Sequence, residues 1–203
     1  MANTSRPNGF TVIGHVNGAP YNGRTRIYYV ASAADEILAG DVVKYGGSAD
    51  SYGNPTADLC GATDVPIGVV VGVMHSKFDP DGKLTTGSTA LDIPASSQIA
   101  ASAAGYILVN DDPNVLLEAE TSNGSIALTE IGQNVSHANG ARTASTYSSP
   151  ATIDSGTNAT TSTLNFNLRG FVRRPDNEVA TTASRVVVAF NRHQFKSVGT
   201  TGI

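Results

Sequence analysis

The chain has 203 residues, enough for one large domain or two small ones with a real hydrophobic core. Only 15% of the residues are charged and 40% are hydrophobic, which excludes charge-rich disorder, a coiled coil and a long helical bundle. Lys and Arg number 13 against 17 Asp and Glu, a net charge of −4, without the basic clusters that phosphate neutralisation needs, so nucleic acid is not an expected ligand.

Residues 1–23 read as an extended arm. Asn8-Gly9, Asn17-Gly18 and Asn22-Gly23 are turn dipeptides, and Phe10, Val12, Ile13, Val16 and Tyr21 lie between them. A flexible linker would not carry those apolar side chains. Burying a large apolar side chain contributes roughly 1.5–3 kcal/mol, whereas ordering each backbone residue costs about 1–2 kcal/mol. The arm is therefore expected to be mobile in the free protein and to become fixed on a partner. The start has no apolar run, so no secretory signal is expected. The longest apolar stretch, Ile67–Met74, is far short of the roughly 20 residues of a membrane helix, and a soluble, cytosol-made protein is expected.

From Arg24 the pattern is one of short strands. Arg24–Val30 ends in Ile-Tyr-Tyr-Val, and Ile37–Tyr45 follows with Gly40-Asp41 inside it. Residues 46–61 read as a polar, turn-rich connection. Ile67–Val73 is β-branched and punctuated by Gly68 and Gly72, a sign of close packing or bulges. Asp79-Pro80-Asp81-Gly82 is a turn, and Leu91–Ile93 and Tyr106–Asn110 are strand candidates. Ser96–Ala104 is alanine-rich and could form a turn or two of helix. Asp112-Pro113-Asn114 marks a boundary. Beyond it, Val115–Glu120 reads as a strand, and residues 122–150 are polar with Ile126, Leu128, Ile131 and Val135 as anchors. Residues 164–169 alternate strictly, which points Leu164, Phe166 and Leu168 inward and Asn165, Asn167 and Arg169 outward. Arg185–Phe190 has apolar residues on both faces, as a central strand requires. No repeat of fixed short period is evident. The expected fold is mainly β with little helix: the arm (1–23), a β-barrel-like unit (24–113) and a second antiparallel β unit (114–203).

The chemistry of known motifs is absent. No phosphate-binding glycine loop and no nucleophile elbow occurs. His15, His75, His137 and His193 are scattered without metal-ligand spacing, and no metal or cofactor is expected. Asp79–Lys83 starts like a calcium loop, but Ala90 stands where a carboxylate is needed. Glu118 and Glu120 would share one solvated face of a strand. Cys60, the only cysteine, reads as a small hydrophobe and precludes an internal disulfide. Four glycosylation sequons are incidental in a chain rich in Asn, Ser and Thr. The residues point to a binding or structural module and to no enzyme.

Several landmarks together resemble the capsid decoration, or structural cement, proteins of tailed bacteriophages. They are Arg6-Pro7-Asn8-Gly9-Phe10 with His15-Val16-Asn17-Gly18, Gly40-Asp41-Val42-Val43 with Ile67-Gly68-Val69-Val70, and Tyr106–Val109 closing on Asp111-Asp112-Pro113. Ile131-Gly132-Gln133-Asn134, Leu168–Asn177 and Val186–His193 complete the match. The resemblance implies a virion protein on the outer face of an icosahedral head, commonly a homotrimer, bound to the major capsid protein and without catalytic residues. Arg6, Phe10, Tyr21 and Arg24 are the candidates for capsid or subunit contact, the two arginines facing acidic groups. A phage tail or receptor-binding adhesin is the alternative, and a polysaccharide-cleaving enzyme is disfavoured because the chain has no Trp and only 6% aromatic residues.

Overall fold

Strands dominate because β-branched and aromatic residues recur in short runs between Gly, Asn and Asp turns. A computed structural model describes residues 3–31, 35–74, 98–142, 148–196, 199 and 202. His75, the 79–82 turn and the 91–93 strand lie outside them. Among the described residues the strands are β1 (Thr11–His15), β2 (Arg26–Val30), β3 (Ile37–Leu38), β4 (Val42–Ala49), β5 (Pro55–Leu59), β6 (Gly68–Met74) and β7 (Gln98–Ile99). Then follow β8 (Gly105–Asn110), β9 (Val115–Ser122), β10 (Asn134–Ala138), β11 (Thr152–Ala159), β12 (Phe166–Phe171) and β13 (Arg185–Phe190). A 3-10 turn at Leu128–Glu130 is the only helical element among them.

The protein is mainly β. The first unit is a closed five-stranded barrel in the order β2-β5-β4-β6-β8. The second sheet runs β1-β9-β11-β10-β12-β13, and β13 pairs back onto β9. Strands β9, β11, β10, β12 and β13 therefore close a second ring, with β1 added outside it. In the first barrel only β2 and β5 are parallel. In the second ring only β9 and β11 are parallel.

The two rings have one topology. Each joins its strands in the order first, third, second, fourth, fifth, with the first and third parallel. Register agrees as well. Val42 faces Val69 and Val43 faces Gly68, as Asn134 faces Asn167 and Val135 faces Phe166. Lys44 faces Asp58 as Ser136 faces Asp154. A bulge interrupts β6 between Val70 and Gly72 and β12 between Leu168 and Gly170, at matching places. Ahead of the second strand of each ring stands a left-handed glycine, Gly40 at φ 93° and Gly132 at φ 99°. Gly40 N donates to Val70 O at 2.7 Å and Gly132 N to Leu168 O at 2.9 Å. The return bonds, Val70 N to Asp41 O and Leu168 N to Gln133 O, also correspond. Few residues match: Gly40 and Gly132, Val43 and Val135, Thr56 and Thr152, Asp58 and Asp154, Gly72 and Gly170, Val109 and Val188. A repeat this long and this degenerate leaves no short period in the sequence.

The buried apolar residues form two clusters, one within the first barrel and one within the second ring that also takes in Val42, Cys60 and Val69 of the first barrel. Tyr28, Val30, Ile37, Val43, Ile67, Val70, Ile107 and Val109 belong to the first. Phe10, Leu117, Ile126, Val135, Ile153, Phe166, Leu168, Val186 and Phe190 belong to the second.

Several expectations are corrected. The connection 46–61 contains the end of β4 and all of β5, because hairpin strands with polar outer faces look like loops in one dimension. Residues 98–99 form β7 against Ile37 and Leu38, and 100–103 turn, so the described part of the alanine-rich segment is not helical. Asn165 is buried, since its side chain caps Ala62 O. Glu120 is buried too, and the arm is the reason. Residues 3–10 have no regular secondary structure, but they are not a free arm. Phe10 is 3% exposed in the second core, and β1 pairs with β9. Ladder bonds and charged hydrogen bonds from the chain's own second ring offset the cost of ordering the arm.

Candidate functional site

Residues 3–8 are held by the second ring through hydrogen bonds that each involve a polar side chain. The Asn3 side chain both donates to Glu178 O and accepts from Glu178 N, each at 2.8 Å. Ser5 Oγ donates to Glu120 Oε1 at 2.7 Å, and Arg6 N donates to Glu120 Oε2 at 3.0 Å. Arg185 donates to Asn8 Oδ1 at 2.8 Å and to Arg6 O at 3.0 Å. Its guanidinium also lies 3.6 Å from Glu118 and 3.8 Å from Glu120, and Arg174 reaches Glu118 at 2.7 Å. A buried carboxylate is costly unless paired and hydrogen-bonded. Here Glu120 is satisfied by the arm itself, so the arm and the buried charge depend on each other.

The arm then crosses to the first barrel. Phe10 N donates to Gly40 O at 2.8 Å, while the Phe10 ring stacks on Phe166 at 5.0 Å and meets His137 edge-on. Gly9 fits where nothing larger would, because a Cβ there would stand 2.5 Å from Gly40 O. Beside this crossing, Asp41 is fully buried. It accepts from Leu38 N at 2.7 Å, from both terminal nitrogens of Arg142 at 2.8 and 3.0 Å, and from Ser149 Oγ. That bidentate pair ties the chain before β11 to the first barrel.

A second seam joins the rings at the β5–β6 connection. Cys60 O lies 2.9 Å from His137 Nε2 and accepts from Asn139 at 3.0 Å. Ala62 O accepts from Ser136 and Asn165, Thr63 O from Arg192, and Pro66 O from Gln194 N. Burial holds His137 below the usual imidazole range and pushes His193 down to about 4, so both are neutral near pH 7. Burial pushes the Cys60 thiol up to about 12, which leaves it a thiol. His15 lies apart from these, 3.3 Å from Asp112. Among the described residues no group of three or more His, Cys, Asp or Glu is placed to hold a metal ion.

The structure does not bring Arg6, Phe10, Tyr21 and Arg24 together. Arg6 is exposed beside Glu120 and Arg185, on a cleft of about 630 Å³ that Asn3, Pro175 and Glu178 also line. Phe10 and Tyr21 line a different groove of about 350 Å³, with Val12, Gly40, Val70 and Val71. Phe10 is committed to the core, so it anchors the arm from inside. Tyr21 is half-buried, its ring 6.5 Å from His15. Arg24 is exposed at the head of β2, where its N–H donates to Asn22 Oδ1 and its carbonyl accepts from Asn110. Ile13 and Val71 are 42% exposed and Val16 is 46% exposed, a set of apolar residues on or near the arm. Sequence reading missed Glu120, Arg185 and Val71. Only the alternation of Leu117, Ala119 and Thr121 with Glu118 and Glu120 signalled a strand there, and it placed both carboxylates in water.

No family model, curated protein or solved structure matches the chain.

Proposed function

We propose that this protein decorates and cements an icosahedral phage head from the outside, binding the major capsid protein lattice without performing a reaction. The observation that carries the reading is the cross-bracing of the two rings by one N-terminal segment. Force on the arm is shared by Glu120 and Arg185 in the second ring and by Gly40 in the first. A clip on a shell needs this rigidity more than it needs chemistry. The sequence resemblance gives the same direction. In this reading Tyr21 and the exposed Ile13, Val16 and Val71 offer one contact patch, Arg6 on its separate cleft and Arg24 just ahead of β2 add further contacts, and Phe10 fixes the frame of the arm. Three chains associate about a threefold axis.

The test is a reconstruction of the particles whose genome encodes the chain, beside particles from which the gene is deleted. Density for the two rings on the outer head surface, lost in the deletion, is the expected result. Density at the tail tip would transfer the chain to the adhesin class, and no density on the particle would end the proposal. Sedimentation of the purified protein measures the trimer, and a strict monomer at high concentration would remove that part.

A further inference from the structure

The two rings differ at one edge. In the second, β1 lies against Val115–Glu118 of β9, on the side away from β13. Register carries those residues onto Arg24–Ile27, because Leu117 and Glu118 face Val188 and Val187 as Arg26 and Ile27 face Val109 and Leu108. There β2 has β8 on one side. On the other it meets β5 only where Tyr29 faces Thr56. Among the described residues no strand covers Arg24–Tyr28 on that side. A bare strand edge presents main-chain donors and acceptors and is a template for an added strand.

We propose that this edge of β2 accepts an extended acidic segment of another protein, in the way β9 accepts β1. The chemistry of the occupant follows from the register of β1. Thr11, Val12 and His15 face Glu118, Leu117 and Val115 in the second ring; the first two places become Ile27 and Arg26 in the first, and counting back two residues from Arg26 carries the third to Arg24, just ahead of β2. Val12 packs on the second core because it faces an apolar position. In the first ring the same place is Arg26, 57% exposed and 3.3 Å from Asp111, with Arg24 exposed two residues before it. A second copy of the arm would set a valine against one guanidinium and an imidazole against the other. Carboxylates at those two places would pair with both arginines across the strands. The arginines thus turn away further copies of this chain and admit an acidic strand.

The test uses the purified full-length chain and is independent of any role in a virion. The probe is a labelled peptide copying residues 7–20 with Val12→Glu and His15→Glu, compared with the unmodified peptide and with the Val12→Lys, His15→Lys version. The expected order is Glu peptide tightest, by about tenfold over the unmodified one. Arg24→Glu with Arg26→Glu in the protein should reverse the preference toward the Lys peptide. Hydrogen exchange on the wild-type complex should show new protection at residues 24–28. Equal binding of all three peptides, binding of none, or protection at 115–118 instead, which would mean exchange with the chain's own β1, overturns the proposal. The exchange footprint needs no variant, so misfolding of the charge-reversed protein leaves the test intact.

Discussion

At one place in the two rings the first barrel has Gly68 and the second has Phe166. Both face the equivalent residue of the second strand, Val43 in one ring and Val135 in the other. Around Phe166 stand Phe10 and Phe190, stacked at 5.0 and 5.2 Å. Around Gly68 the neighbouring strand closes in, so that a Cβ would stand 2.1 Å from Asn110 O. The same circuit of strands thus encloses an aromatic core in one case and a mostly aliphatic one in the other. Topology and register belong to the backbone bonds, the left-handed glycine and the bulge. The filling is free to differ as long as the volume is met.

The largest effects should come from attacking each core at its own weak point. Phe166→Ala removes the central ring of the stack and should cost about 3–5 kcal/mol in denaturant unfolding. A loss under about 1 kcal/mol would mean that the arm, and not the stack, sets the shape of the second core.

Next comes a buried charge at a place where the second ring has none. Asp41 corresponds to Gln133, so truncating Arg142 strands a carboxylate in one ring and has no counterpart in the other. Arg142→Met should cost about 3 kcal/mol or more. Adding Asp41→Asn should restore part of that loss. A double variant as unstable as the single one would show that Arg142 acts by packing alone.

Acid should act first on the second ring. His193 is held down to about 4 against 6.5 in the unfolded chain, and His137 is lowered in the same direction. The unfolded state then binds protons that the folded state refuses. Stability is full above pH 6.5, falls as pH drops toward 4, and levels below it, with about 3 kcal/mol from His193. His193→Gln should flatten that slope. The lowered carboxyls of Asp50 and Asp64, both in the first barrel, act in a separate window, since they lose their contribution only as pH falls below the ordinary carboxylate range. Hydrogen exchange at pH 5 should open strands of the second ring before those of the first.

Gly68→Ala forces β6 and β8 apart at Asn110 and should cost about 1–3 kcal/mol or more. A neutral result would mean that β6 and β8 can part there without penalty.

Much of the strand content was legible because apolar runs and turn residues are local signals. Tyr106–Asn110, Val115–Glu120 and Arg185–Phe190 lie within strands of the fold, and β12 covers most of the alternating stretch at 164–169. The candidate site was legible only in part. Phe10 and Tyr21 stood out as apolar residues among turns, yet their destination did not. Glu120 looked solvated because nothing in its own segment announces Ser5, Arg6 and Arg185 more than sixty positions away. Strands β5 and β11 were hidden because their outer faces are polar and their partners are remote.

By itself the sequence determined that the chain is built of short strands and turns. Charge content, β-branched runs and Gly-Asn-Asp punctuation act within a few residues, and they exclude long helices. Tertiary structure alone decided that the strands close into two rings of one design, and that the N-terminal segment ends in the second core. Ring closure and arm docking are set by main-chain bonds and packing between residues far apart, and main-chain groups are the same in every residue. Two stretches with six shared residues can therefore share a fold, and no reading of neighbours along the chain distinguishes a docked arm from a loose one.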